Sequence, residues 1–340
     1  MNEAPALRGL ASALSGGRRL VIYLHDAPDP DTIAAGWILA RVGEHLGLRP
    51  LMVHGGNLGR AENRTMVRVL RIPLRRLDGV RLRRLATDRF ALVDTQPGAG
   101  NNSFPAGLRA HVILDHHGRQ PDLDALHVDV RTDGGCTTAL ALEYFLACGL
   151  TADPPLATAA VYAVLSETQD LKREATRRDR EVVQRLGPLV QQPLLGRIRH
   201  PPRRREYFRV ISAALRRVEL GRHTVVCHAG PVPYAEVVAE LADFLVAMER
   251  VSWCMATGTH GGRMIVSLRT TDPRGGAERV MAALLKGLGR GGGHGMMAGG
   301  ALPCPGGDAG EARAAVLTGR FLSALRRRSP EVLRPLRESP

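Results

Sequence analysis

Asp115-His116-His117 closes an apolar run, His111-Val112-Ile113-Leu114, and so sets one carboxylate and two imidazoles at the mouth of a buried strand. Mixed nitrogen and oxygen donors suit Mn²⁺, Mg²⁺ or Zn²⁺, and carboxylate-rich sets lean to Mn²⁺ and Mg²⁺. Side chains alternate along an extended segment. Asp115 and His117 therefore face one way and His116 the other, unless the strand has already ended. One histidine can then bind metal while the other meets substrate.

Three other apolar segments end in the same way. His25, Asp29 and Asp31 lie in one turn behind residues 20–24. Asp31 is also placed to cap the helix expected at 32–46. Asp94 ends the apolar run 90–93, where a carboxylate can bridge two ions or simply open a turn toward Pro97-Gly98. Glu167 and Asp170 follow an apolar helix that ends near Leu165. Together these residues suit a two-metal hydrolytic site, in which one ion acidifies a water and both hold phosphate oxygens.

Two further features could bind an anion. Gly289-Arg290-Gly291-Gly292-Gly293-His294 has the backbone freedom to approach a phosphate, with the alternative of a flexible loop. It lacks the Lys-Ser/Thr pair of a nucleotide P-loop. Arg269 ends the run 264–268 and can pair with a phosphate or carboxylate.

The elements that must position these groups alternate in type. Strands are expected at 20–24, 50–54, 90–93 and 110–114, and helices at 32–46, 136–148 and 155–167. Strands separated by helical crossovers imply an α/β fold with a mostly parallel sheet flanked by helices. A composition break at 191–205, with Pro201-Pro202, reads as a stiff linker. Beyond it come strands at 223–228, 253–259 and 263–269, a helix at 278–287, the glycine cluster, and a helix at 309–325 capped by Asp308. The expected organisation is a catalytic domain over 1–188, a linker over 189–215, a smaller α/β domain over 216–330 with a cleft between the two, and a tail over 331–340.

At 340 residues, with 44% hydrophobic and 24% charged, the chain has material for two substantial cores. A formal net charge of +14, nearly all from arginine, favours polyanionic partners. The five cysteines are scattered without a C-x-x-C pair, which points to reduced thiols and a cytoplasmic location. No membrane association is expected: the apolar stretch 241–256 is broken by Asp243, Glu249 and Arg250, and residues 20–24 are too short for a signal-peptide core.

In order and spacing these motifs resemble the DHH phosphoesterase superfamily, in its subgroup of NrnA-like oligoribonucleases and phosphoadenosine-phosphate phosphatases with a C-terminal DHH-associated domain. The resemblance rests on His25-x-x-Pro28-Asp29-x-Asp31, Asp94-Thr95, Asp115-His116-His117, Gly135-Cys136-Thr137-Thr138 and Gly291-Gly292-Gly293-His294, and spans nearly the whole chain. It implies two Mn²⁺ ions, with Mg²⁺ or Co²⁺ as alternatives. His25, Asp29 and Asp94 would hold one. Asp31, Asp94, His116 and Glu167 would hold the other, with Asp170 in reserve for Glu167. His117 would contact the scissile phosphate, Asp115 would orient a histidine, and Arg269 with Gly291, Gly292, Gly293 and His294 would bind the nucleotide. The implied partners are short single-stranded RNA or DNA or small nucleotides, and a homodimer.

Two positions depart from the pattern. Glu167 stands where the family usually has Asp, and Pro30 where it often has Gly. The competing functions are a nucleotide-binding regulator with an altered catalytic site, a RecJ-like single-strand exonuclease, and an inorganic pyrophosphatase. The scarcity of aromatics, 4%, argues against a long single-strand track.

Overall fold

The computed structural model describes residues 5–80, 85–133, 135–172, 174–304, 307–325 and 332–336, with backbone alone at Pro5, His294, Asp308 and Ala309. The chain divides into two compact units, Met1–Pro201 and Pro202–Pro340.

In the first unit the chain runs through α1 (Pro5–Leu14), β1 (Arg19–Tyr23), α2 (Pro30–His45), β2 (Arg49–His54), α3 (Ala61–Val69), β3 (Leu74–Arg76), β4 (Asp88–Val93), β5 (Ala110–Asp115), β6 (Ala125–Val130), α4 (Thr137–Ala147), α5 (Pro154–Glu167), α6 (Arg177–Leu186) and α7 (Gln192–Arg199). Among the described residues its six strands form one sheet in the order β3-β2-β1-β4-β5-β6, with every neighbouring pair parallel. The central strands are apolar on both faces because both faces are covered. Leu20, Ile22 and Leu24 enter the core shared with α1, α2, α4 and α5. Val21 and Tyr23 alternate to the other face, under Phe104, Leu108 and Leu123.

The strand order reverses beside β1. Successive connections move outward through β2 and β3, then return to β4 and move the other way. In open parallel sheets this reversal leaves a crevice at the carboxyl ends of the two strands flanking it. His25 follows β1 and Asp94 follows β4, so both candidate ligands stand at that crevice.

The second unit contains α8 (Arg205–Leu215), β7 (Val218–Leu220), β8 (Thr224–Pro231), α9 (Glu236–Val246), β9 (Trp253–His260), β10 (Arg263–Thr270), α10 (Ala277–Leu285), β11 (Arg290–His294), β12 (Met297–Pro303), α11 (Asp308–Ala324) and β13 (Arg334–Pro335). Its sheet is ordered β11-β12-β10-β9-β8-β7-β13, with β8 and β9 parallel and the other pairs antiparallel. The expected α/β class and parallel first sheet are thus observed. Segment 189–215 carries helices α7 and α8 on either side of Pro201-Pro202.

Three local expectations are corrected. Asp29, not Asp31, caps α2: its Oδ1 accepts the Thr32 N–H at 3.0 Å. Pro30 then occupies the first helical position, where its fixed φ fits and a missing N–H costs nothing. The glycine cluster is no loop but the edge strand β11, paired with β12 from Arg290↔Ala301 to His294↔Met297. Gly307, rather than Asp308, precedes the first turn of the last helix. No helix among the described residues is long and apolar enough to cross a membrane.

Candidate metal centre

Asp94 is the hub of the site. It leaves β4 with φ +60°, a left-handed conformation that Asp tolerates better than most residues. Its N–H donates to the Leu114 carbonyl at 2.8 Å, which ties the end of β4 to β5. The side chain is buried, with Oδ1 accepting the Thr137 hydroxyl at 2.8 Å. Two imidazoles approach it from opposite strands. His25 Nε2 lies 3.6 Å from Asp94 Oδ2 and 3.7 Å from Asp29 Oδ1. His116 Nε2 lies 3.4 Å from Asp94 Oδ1 and 3.8 Å from Asp31 Oδ2.

Two trios of metal-binding groups share this carboxylate: His25, Asp29 and Asp94, and Asp94, His116 and His117, each with donor atoms within 4.8 Å of one another. The alternation expected along 115–117 does not hold, because β5 ends at Asp115. The His116 and His117 rings lie 4.3 Å apart between centroids and both converge on Asp94.

Asp31 is buried and accepts the backbone N–H groups of Thr137 and Thr138, both at 2.8 Å. These are orphan donors of the first turn of α4. Asp115 Oδ1 accepts the N–H groups of His116 at 2.8 Å and His117 at 3.2 Å, and meets His117 Nδ1 at 2.8 Å. An ionised carboxylate only accepts, so the hydrogen in that last contact belongs to Nδ1.

Burial, mutual repulsion and the neighbouring His25 shift the carboxylates of this cluster in different directions. Burial and the neighbouring Asp29 charge push Asp31 up to about 6. Burial and the charges of Asp31, Asp29 and Asp115 hold Asp94 well above the ordinary carboxylate range. Burial works against ionised Asp29 too, but the hydrogen bond and charge of His25 hold it below that range. Burial likewise opposes protonation of His117, yet Asp115, Asp29 and Glu167 together raise it. Carboxylates crowded against each other beside imidazole nitrogens form a hard, mixed O/N donor set that fits Mn²⁺ or Mg²⁺.

Glu167 ends α5 and stands near enough for its charge to act on His117, but it is in neither trio. Asp170 pairs with Arg199 at 3.0 Å on the surface. In the second unit Arg269 is buried: its Nε donates to Asp243 and its Nη1 to the Ser267 hydroxyl at 2.8 Å. Gly291, Gly292 and Gly293 are exposed on the edge strand β11, and the His294 side chain lies outside the described residues.

Sequence reasoning overlooked Gln96 and Asn63, both buried. Gln96 donates to Asp115, and Asn63 donates to the Pro28 carbonyl within the ligand turn at 2.9 Å. Gln96 lies two residues beyond Asp94, a proximity that could have flagged it. Asn63 carries no such signal.

No family model matches the chain. It is 31% identical over 258 residues to an uncharacterized protein, MJ1633, of Methanocaldococcus jannaschii, over 75% of this chain and 52% of that protein. The chain thus spans about half the length of the curated relative it matches. Among solved structures it is similar to an exopolyphosphatase-related protein from Bacteroides fragilis, with a TM-score of 0.76 at 12% identity, covering 93% of this chain and 95% of that one. The candidate ligands stand at the carboxyl ends of a parallel sheet whose strand order reverses between β1 and β4, and in fold the chain is similar to that exopolyphosphatase-related protein.

Proposed function

We propose that this chain is a metal-dependent phosphohydrolase of the DHH superfamily, acting on short nucleotide substrates. The substrate class comprises oligoribonucleotides of a few residues, 3′,5′-bisphosphonucleosides, and linear or cyclic dinucleotides. The observation that carries the reading is Asp94, one buried carboxylate whose Oδ2 lies 3.6 Å from His25 Nε2 and whose Oδ1 lies 3.4 Å from His116 Nε2.

His25, Asp29 and Asp94 would hold one ion; Asp31, Asp94 and His116, with Glu167 from the end of α5, would hold the other. Mn²⁺ is the preferred ion, with Mg²⁺ and Co²⁺ next. When bound, such a pair generates a nucleophilic hydroxide near neutral pH and clamps phosphate oxygens. The chain's own residues do the rest. Asp94 keeps its two oxygens apart for the two sides of the site, with Thr137 steadying Oδ1. His117, raised in pKa and with Nδ1 committed to Asp115, offers Nε2 to a phosphoryl oxygen and stabilises the charge that develops there. Nucleotide binding by the second unit is assigned to the exposed backbone of Gly291–Gly293 and to His294. Arg269, on β10 with β12 between it and β11, is already held by Asp243 and Ser267.

The test is a product profile over RNAs of two to ten nucleotides, cyclic dinucleotides, bisphosphoadenosine and pyrophosphate, with Mn²⁺, Mg²⁺ or Co²⁺. Wild type is run beside His116→Ala. Hydrolysis of short nucleotides that His116→Ala abolishes supports the reading. Failure of wild type on every substrate with every ion defeats it, and a preference for pyrophosphate replaces it.

A further inference from the structure

We propose that Gln96 is the positioning residue that sets His117 for the phosphate, acting through Asp115; the assignment rests on the phosphohydrolase reading above. Gln96 sits in the turn after β4 and is 1% exposed. Its side-chain amide is bonded at both ends. Nε2 donates to Asp115 Oδ2 at 2.6 Å and to the Gly118 carbonyl at 3.2 Å. Oε1 accepts the Gln120 N–H at 2.7 Å.

These partners leave one orientation for the amide. Its nitrogen faces acceptors and its oxygen faces a donor, so a flipped amide would break all three bonds. The backbone is anchored as well, because Asn102 Nδ2 donates to the Gln96 carbonyl at 2.9 Å and to the Thr95 hydroxyl at 2.7 Å. Gln96 therefore joins the turn after β4, the end of β5 and the segment 118–120.

The consequence falls on Asp115. With Oδ2 held by Gln96, the carboxylate turns Oδ1 toward the His116 N–H, the His117 N–H and His117 Nδ1. Nδ1 must then carry hydrogen, and Nε2 is the nitrogen left for substrate. Supporting partners of this kind fix the tautomer and ring orientation of functional histidines. Without Gln96, the buried Asp115 Oδ2 loses its donor, and the carboxylate is left to the His116 and His117 N–H groups on Oδ1, free to turn about them and away from the ring.

Two variants test the link. Gln96→Glu keeps the shape but turns the donor facing Asp115 into an acceptor. Gln96→Met is neutral, of similar length, and makes neither bond, so it carries the test if a buried glutamate prevents folding. Three quantities are read on each: the His117 ring by ¹⁵N NMR in Mg²⁺-loaded protein, Mn²⁺ affinity by calorimetry, and kcat and KM on a diribonucleotide. Wild type is expected to hold hydrogen on Nδ1, and the variants to show the other tautomer or a mixture. The expected kinetic effect is a kcat loss of about 10- to 100-fold, with KM and Mn²⁺ affinity changed far less. A folded variant with wild-type ring signals and kcat overturns the proposal. So does a kcat loss that merely tracks lost Mn²⁺ affinity, since Gln96 would then support the ligand turn alone. If wild type hydrolyses nothing, the phosphohydrolase reading has failed, while the ring spectra still decide whether Gln96 sets His117.

Discussion

Asp31 belongs to α2 but caps α4: its Oδ2 accepts the Thr137 N–H at 2.8 Å. Its own helix is capped by Asp29. One buried carboxylate thereby locks two helices together and stands 3.8 Å from His116 Nε2. A residue that looks like an ordinary helix cap in sequence is instead placed by a segment more than a hundred residues away.

Asp31→Ala is expected to lower the stability of the metal-free protein by about 1–2 kcal/mol, the usual cost of a lost cap. The sign reflects two opposed effects. Both N–H groups of α4 lose their acceptor, while the repulsion from Asp29 and Asp94 is relieved. Urea unfolding in the presence of a chelator measures the net.

Asp94→Asn separates those effects differently, because the amide retains an oxygen for Thr137. Metal-free Asp94→Asn is expected to be at least as stable as wild type, since a carboxylate raised by burial and its acidic neighbours has been neutralised. Wild type should gain about 2.7 kcal/mol from Mn²⁺ at 100 times its Kd, and the variant should gain almost nothing. Thermal shifts with and without Mn²⁺ test the crossover. An equal Mn²⁺ gain in the two proteins would remove Asp94 from the hub.

The same carboxylates give a pH signature. Asp31 is raised to about 6 in the fold from an ordinary value of 3.8. Between those values the folded state binds more protons than the unfolded state, so this group makes the metal-free protein more stable as pH falls. Metal competes with the same proton, so Mn²⁺ affinity should weaken as pH drops through 6. Calorimetric titrations at pH 7.5 and 5.5 test this.

His228, in the second unit, has the opposite sign. Its Nδ1 lies 2.6 Å from the Thr257 hydroxyl and its Nε2 2.9 Å from the Thr318 hydroxyl, so it links β8, β9 and α11. Burial, with Arg217 adding to it, lowers it to about 4. The unfolded chain takes up a proton near pH 6.5 and the fold does not until about 4. Stability from this group is full above 6.5 and declines toward pH 4 by up to about 3 kcal/mol. His228→Gln should flatten that decline in denaturation curves between pH 7 and 4.5.

The glycines of β11 differ from one another. A side chain at Gly293 would strike the Met297 carbonyl and Ala298, whereas one at Gly292 would meet nothing within 4 Å. Gly293→Ala should cost about 1–3 kcal/mol, and Gly292→Ala under about 0.5 kcal/mol. Circular-dichroism melts rank them, and the folded Gly292→Ala protein can be assayed for nucleotide KM.

By itself the sequence determined the apolar strands and the polar groups at their ends, because a covered parallel strand must be apolar along its length and its exit need not be. That was enough to bring forward His25, Asp29, Asp31, Asp94, His116 and His117. Tertiary structure alone decided how they are used. Asp94 became the shared group because strand order places β4 between β1 and β5. Asp31 went to α4 because only packing of α2 on α4 brings those N–H groups to it. The glycine cluster became a strand because Gly291 and Gly293 let it pair closely with β12. Gln96, in the turn after β4, took up Asp115 at the end of β5, nineteen residues away, through one hydrogen bond. Local pattern carries periodicity and chemistry, but the partner of a buried polar group is set by what the fold brings within three ångströms of it.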